Sequence, residues 1–287
     1  MKWGGFAALV LLAVTLLAAG YLYFASEAII ARTFVPRDVA FRAAPAGDAA
    51  AVARGAHLAV VTGCTDCHEK DLTGHWFDDV PDSHIWSRNL TILAHQFSDA
   101  QLENAIRQGI RPDGRSVVIM RSGAYRGMSD RDLSDLVAYL RSLKPKGDVR
   151  PEPTYGPMLR AGLLLGKLKT DRDFAAGDKP SMELGPRYAR GRYLAAIACA
   201  ECHQTNFVPR DDAFFATPDL SLVAAYERAD FFTLMRTGKA AGGREVGFMS
   251  QTARLRFAHF TDEEIGAIYD YLAARGRKMT GMETSDR

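Results

Sequence analysis

The spacing Cys-x-x-Cys-His occurs twice, as CTDCH at 64–68 and CAECH at 199–203, and it constrains this 287-residue chain more than any other feature. Two cysteines separated by two residues can present thiolates to a tetrahedral metal. Histidine directly after the second cysteine is instead the signature of covalent c-type haem attachment. The chain has four cysteines, all in these two pairs, so no thiol is left for a structural disulfide. A four-cysteine zinc site is the competing reading, and it would ignore both histidines. The sequence therefore predicts two covalently attached haem c groups, one on Cys64, Cys67 and His68, the other on Cys199, Cys202 and His203.

Thioether linkage to haem is completed outside the cytoplasm, and the N-terminus agrees with that compartment. Residues 6–24, FAALVLLAVTLLAAGYLYF, are uncharged and mostly apolar. As a helix rising 1.5 Å per residue they reach about 28 Å, close to the ~30 Å of a bilayer core. A cleaved signal peptide with its small-residue site at Ala18-Ala19-Gly20 is the alternative. Against cleavage, the apolar run continues through Tyr21, Leu22, Tyr23 and Phe24, aromatics suited to a membrane interface. The expectation is a membrane anchor over 1–30, in the inner membrane, with the remainder in the periplasm. Loop charges do not set the orientation, because Lys2 precedes the span and Arg32 and Arg37 follow it; the haem motifs place the C-terminal side outside. The net charge of +2 contains no lysine–arginine block, which argues against a nucleic-acid partner.

The chain also repeats itself. ARGAHLAVVTGCTDCH at 53–68 matches ARGRYLAAIACAECH at 189–203, and SDRDLSDLVAYL at 129–140 matches TDEEIGAIYDYL at 261–272. Each of the latter opens on a capping box, Ser129 with Asp132 and Thr261 with Glu264, and continues with an apolar helical face. Ser98 and Gln101 form a further box ahead of IRQG. No alternating β-branched run competes, so the predicted fold is all-α, with modules at 52–144 and 188–277. Residues 145–187 hold six prolines and read as a connecting segment with one short helix near 157–169, expected to pack between the modules.

A second axial ligand decides what a haem can do. Gly109 is followed eleven residues later by Met120, and Gly238 eleven residues later by Met249. Met120 and Met249 are therefore the predicted sixth ligands of the two irons, although methionine more often fills core gaps. Met128 and Met235 are the local rivals. His57 and His259 read as non-ligands, whereas His75, His84 or His95 could replace Met120. Arg107 and Arg236 either pair with haem propionates or are simply exposed.

These pieces resemble a tandem, dihaem class I cytochrome c, similar to the cytochrome subunits of membrane-bound dehydrogenases. NLT at 89–91, AIRQG at 105–109, DGR at 113–115 and both final helices join the haem motifs in carrying the resemblance. It implies two tandem class I domains after the transmembrane helix, with Gly55 packed on Tyr139 and Gly191 on Tyr271 where first and last helices cross. It further implies electron relay from a dehydrogenase or quinol to another cytochrome or a terminal oxidase, rather than catalysis. Two departures stand out: Arg121 and Ser250 follow the methionines where the family often has proline, and many such subunits carry three haems. The alternative is a dihaem enzyme with one labile ligand, a peroxidase or thiosulfate dehydrogenase. No Gly-rich nucleotide loop and no nucleophile–base pair is apparent.

Overall fold

The computed structural model describes residues 2–78, 80–175, 179–211 and 216–281. The first helix, α1, runs over Lys2–Ile30. Its 28 residues from Trp3 to Ile30 are long and apolar enough to cross a membrane, more than the 6–24 expected, and Phe6, Leu9, Leu16 and Phe24 on it are exposed.

Residues 52–144 fold as a helical unit. Asp48 caps α2 (Ala49–Val61) by accepting from the Ala50 and Ala51 N–H groups. The first cysteine pair forms a single turn, α3 (Cys64–Cys67). Asn89 caps α4 (Leu90–Gln96), and Ser98 and Gln101 make the expected reciprocal box at α5 (Asp99–Glu103). A π-helical turn at Asn104–Gln108 follows and ends on Gly109 in the left-handed region, where glycine carries no steric penalty. Ser129 then caps α6 (Asp130–Ser142). The crossing of α2 and α6 is as expected: a Cβ on Gly55 would overlap the Asp135 carbonyl and lie 2.7 Å from Tyr139 Cβ.

The connecting segment differs from expectation. It contains α7 (Pro157–Leu164) and α8 (Asp171–Ala175), and α7 packs against α1, not between the modules. Leu159 and Leu163 share a small core with Ile30 and Ile85. Arg160 donates to Ser26 Oγ and to Glu27 Oε2, both at 2.9 Å, and lies 4.4 Å from the Tyr23 ring centre. Periodicity gives a helix its length, but which apolar neighbour it finds is a long-range matter.

Residues 188–277 fold as a second helical unit. They carry α9 (Ala189–Ala198), α10 (Ala200–His203), α11 (Arg228–Thr237), α12 (Phe248–Leu255) and α13 (Asp262–Thr280), the last opened by the Thr261–Glu264 box. At the α9–α13 crossing a Cβ on Gly191 would overlap the Ala267 carbonyl and lie 2.9 Å from Tyr271 Cβ, again as expected. Among the described residues the only strands are three two-residue antiparallel pairs, Trp76–Phe77 with Ile85–Trp86, Arg210–Asp211 with Ala216–Thr217, and Lys239–Ala240 with Arg244–Glu245. The fold is accordingly helix-rich, with minor hairpins that the all-α expectation omitted.

The two halves meet through equivalent positions. His57, two residues after Gly55, donates from Nε2 to the Glu264 carboxylate at 3.0 Å. Tyr193, two residues after Gly191, donates to Asp132 and accepts from the Ser129 N–H at 3.1 Å. Glu264 and Asp132 are each the third residue of the last helix in their half. Such reciprocal contacts define an isologous, pseudo-twofold arrangement, and one continuous apolar core runs through both halves, from Leu58 and Leu136 to Leu194 and Ile268.

Candidate haem-binding site

The first cysteine pair sits where α2 ends. Gly63, in the left-handed region at φ 83°, breaks the helix and starts the turn that carries Cys64 and Cys67. His68 follows at its end and is buried. Its Nδ1 lies 2.7 Å from the Arg88 carbonyl. A carbonyl can only accept, so Nδ1 carries the proton and Nε2 is left with its lone pair, the form in which imidazole binds a metal. Burial lowers the His68 pKa, which also favours the neutral ring.

The NLT tripeptide holds that carbonyl in place. Asn89 Oδ1 accepts from the Thr91 N–H at 3.1 Å and from its hydroxyl at 2.7 Å, while Nδ2 donates to the Lys146 carbonyl at 2.8 Å. Arg88 itself donates to the Arg150 carbonyl at 2.8 Å and pairs with Glu152. In the second half His203 repeats the device, donating from Nδ1 to the Pro218 carbonyl at 3.3 Å. Neither carbonyl is marked by a local pattern, and sequence reasoning named neither.

The methionine loops lie beside the attachment turns. After Met120 a 3-10 turn, Ser122–Tyr125, brings the Tyr125 hydroxyl to the Thr62 carbonyl at 2.8 Å, and the Thr62 hydroxyl lies 3.8 Å from Cys64 Sγ. Met249 lies in α12, whose C-cap residue Arg256 reaches the Glu201 carboxylate at 2.6 Å. Met120 and Met249 are half-buried and pack, like Cys64 and Cys199, against the shared core. The rivals Met128 and Met235 are 3% and 2% exposed, core residues in full.

Where proline was absent after each methionine, hydroxyls fix the loops. Ser250 Oγ donates to the Gly238 carbonyl at 2.6 Å and accepts from the Val246 N–H at 2.8 Å. Ser122 Oγ donates to the Ala105 carbonyl at 2.9 Å, and the Gly123 N–H donates to Asp171 Oδ1 at 2.9 Å. Asp171, from the connecting segment, was missed because nothing in its surroundings marks it.

Other candidate side chains have partners of their own. Arg107 pairs with Asp130 at 2.8 Å and Arg236 with Asp262 at 2.6 Å, the first residue of α6 and of α13 respectively. Both arginines therefore tie down the start of a last helix, and neither is merely exposed. His75 pairs with Glu69 through Nδ1, His84 lies in a bridge to Thr154, and His95 Nε2 donates to the Leu143 carbonyl at 2.9 Å. His259 is exposed, at the end of a 3-10 turn over Phe257–His259.

The donors are arranged as two separate attachment turns. Burial pushes the thiols of Cys67 and Cys199 up to about 12 and that of Cys202 to about 11. Among the described residues no group of three or more His, Cys, Asp or Glu side chains is gathered as a metal site. What each half offers is a thiol pair on a turn and one imidazole whose Nε2 is left to bind.

The first half is a cytochrome c domain: residues 52–144 match the cytochrome c family. Over most of its length the chain is homologous to cytochrome subunits of dehydrogenases. It is 28% identical over 267 residues to the fructose dehydrogenase cytochrome subunit of Gluconobacter japonicus, covering 81% of this chain and 54% of that protein. It is 25% identical over 268 residues to the cytochrome c subunit of the quinone alcohol dehydrogenase of Gluconacetobacter polyoxogenes, covering 79% and 56%. The same figures describe its similarity to the corresponding cytochrome c subunit of Komagataeibacter europaeus. The chain thus spans about half the length of these relatives.

Proposed function

We propose that the chain is a membrane-anchored, periplasmic dihaem cytochrome that relays electrons one at a time. Residues 188–277 form a second class I cytochrome c domain, and residues 1–30 anchor both domains to the inner membrane. The donor is a dehydrogenase subunit or a quinol, and the acceptor is another cytochrome or a terminal oxidase.

One observation carries this reading: the same thiol–thiol–imidazole arrangement occurs twice, each time with Nδ1 committed to a backbone carbonyl. Cys64, Cys67, His68 and Met120 would hold one haem, and Cys199, Cys202, His203 and Met249 the other. Bound there, haem c supplies one-electron ferric–ferrous cycling. The chain's part is to bind, orient and shield. The carbonyls of Arg88 and Pro218 fix the ring orientation of the two histidines. The half-buried Met120 and Met249 would be the second protein ligands of the two haems, which would exclude substrates and raise the potential relative to two histidines. The shared apolar core backs both sites, packing against Cys64, Met120, Cys199 and Met249. That the relatives are named as dehydrogenase cytochrome subunits supports a dehydrogenase as donor.

The test is stopped-flow mixing of the purified, oxidised full chain with a water-soluble quinol, then of the reduced protein with an oxidised small cytochrome. Reduction and reoxidation of two haems per chain, with no consumption of hydrogen peroxide or thiosulfate, is expected. Turnover of either compound would instead make the chain an enzyme.

A further inference from the structure

The pseudo-twofold arrangement brings the two attachment turns to one side chain. Arg256, the C-cap residue of α12, donates from Nε to Asp66 Oδ2 at 2.5 Å and from Nη1 to Glu201 Oε2 at 2.6 Å. Asp66 and Glu201 occupy the same place in the two motifs, directly before the second cysteine. One guanidinium therefore bridges equivalent residues of both turns, across 190 positions in sequence to the first.

The arginine of this bridge is buried and its two carboxylates are partly so. The Arg256 side chain is 8% exposed, Asp66 21% and Glu201 18%. A guanidinium is withdrawn from water only where carboxylates meet it with good geometry. The turn is also shaped to admit it: a Cβ on Gly63 would overlap the Arg256 guanidinium, so the residue that starts the first attachment turn must be small as well as left-handed. The outer contacts of the interface, His57 with Glu264 and Tyr193 with Asp132, already join the halves. An arginine needed only for cohesion has no reason to select the two residues that border the attachment cysteines.

We propose that Arg256 is a positioning residue common to both haem sites: it locks the two attachment turns at one fixed separation, and its charge, with those of Asp66 and Glu201, sets both reduction potentials. This rests on the dihaem reading above. Oxidation adds one positive charge at an iron, so a neighbouring cation disfavours the ferric form and a neighbouring carboxylate favours it.

The test is a spectroscopic redox titration of the full-length holoprotein after haem has been counted per chain. Arg256→Gln should lower both midpoints, each by at least a threefold change in the ferrous-to-ferric ratio at fixed potential, about 28 mV at 59 mV per tenfold for one electron. Arg256→Lys, which keeps the charge, should hold both midpoints closer to wild type than Arg256→Gln does. Asp66→Asn should raise one midpoint and Glu201→Gln the other. These two variants decide the matter if Arg256→Gln does not take up haem. A shift confined to one haem in Arg256→Gln, or no shift in either carboxylate variant, overturns the proposal. Fewer than two haems in the wild type overturns the dihaem reading itself, and that is known before any variant is titrated.

Discussion

At the scale of single residues, the decisive feature is how each imidazole is held. His68 and His203 both spend Nδ1 on a backbone carbonyl, so each ring presents a single unprotonated nitrogen in one orientation. The methionines are less constrained, and substitution tests them directly. Met120→Ala is expected to open the sixth position of one iron, so that the reduced variant binds carbon monoxide at one of two haems while the wild type does not respond. A variant as inert as the wild type would remove Met120 from the ligand set. The matched eleven-residue offsets single out both methionines in the sequence, the spacing that a shared ligand role would fix. Arg256, Asp171 and the Arg88 carbonyl were not legible, since each acts on a partner tens to hundreds of positions away and leaves no local pattern.

At the scale of elements, the first and last helices of each half cross at glycine. Gly191 lets α9 approach the Ala267 carbonyl of α13 without a side chain between them. Gly191→Val forces the backbones apart and should destabilise the protein by about 1–3 kcal/mol, the usual cost of overpacking a well-packed contact, read as a lower urea midpoint. An unchanged midpoint would mean that the crossing is looser than described. The capping boxes at Ser98 and Thr261 could be read in advance because caps are local chemistry, whereas the glycine crossings followed only from the resemblance to class I cytochromes c. The seat of α7 could not be read in advance. Its apolar residues, Leu159 and Leu163, fit any apolar surface, and the one they found is the foot of α1 beside Ile30.

At the scale of the molecule, the halves are joined by groups that respond to pH. Burial pushes the Glu264 carboxyl upward, but the hydrogen bonds from His57 and the Thr261 N–H, with Arg190 nearby, outweigh it and bring the carboxyl below its ordinary 4.5. A carboxyl whose folded pKa is depressed stabilises fully above its unfolded pKa and loses that contribution as pH falls through the folded value. Glu264→Gln should therefore be less stable than wild type near neutrality, and the difference should shrink in acid. Urea midpoints at about pH 6 and about pH 3.5 check this; a constant difference would contradict it. The repeat was visible in the sequence, but its pseudo-twofold packing was not, because periodicity says nothing of how two units face each other. The central claim is two haems, each closed by methionine. Its most direct test is the absorption spectrum of the reduced, purified full chain before and after carbon monoxide, with haem counted per chain. The account predicts two c-type haems and no spectral change; a single haem, or a change at either one, would contradict it.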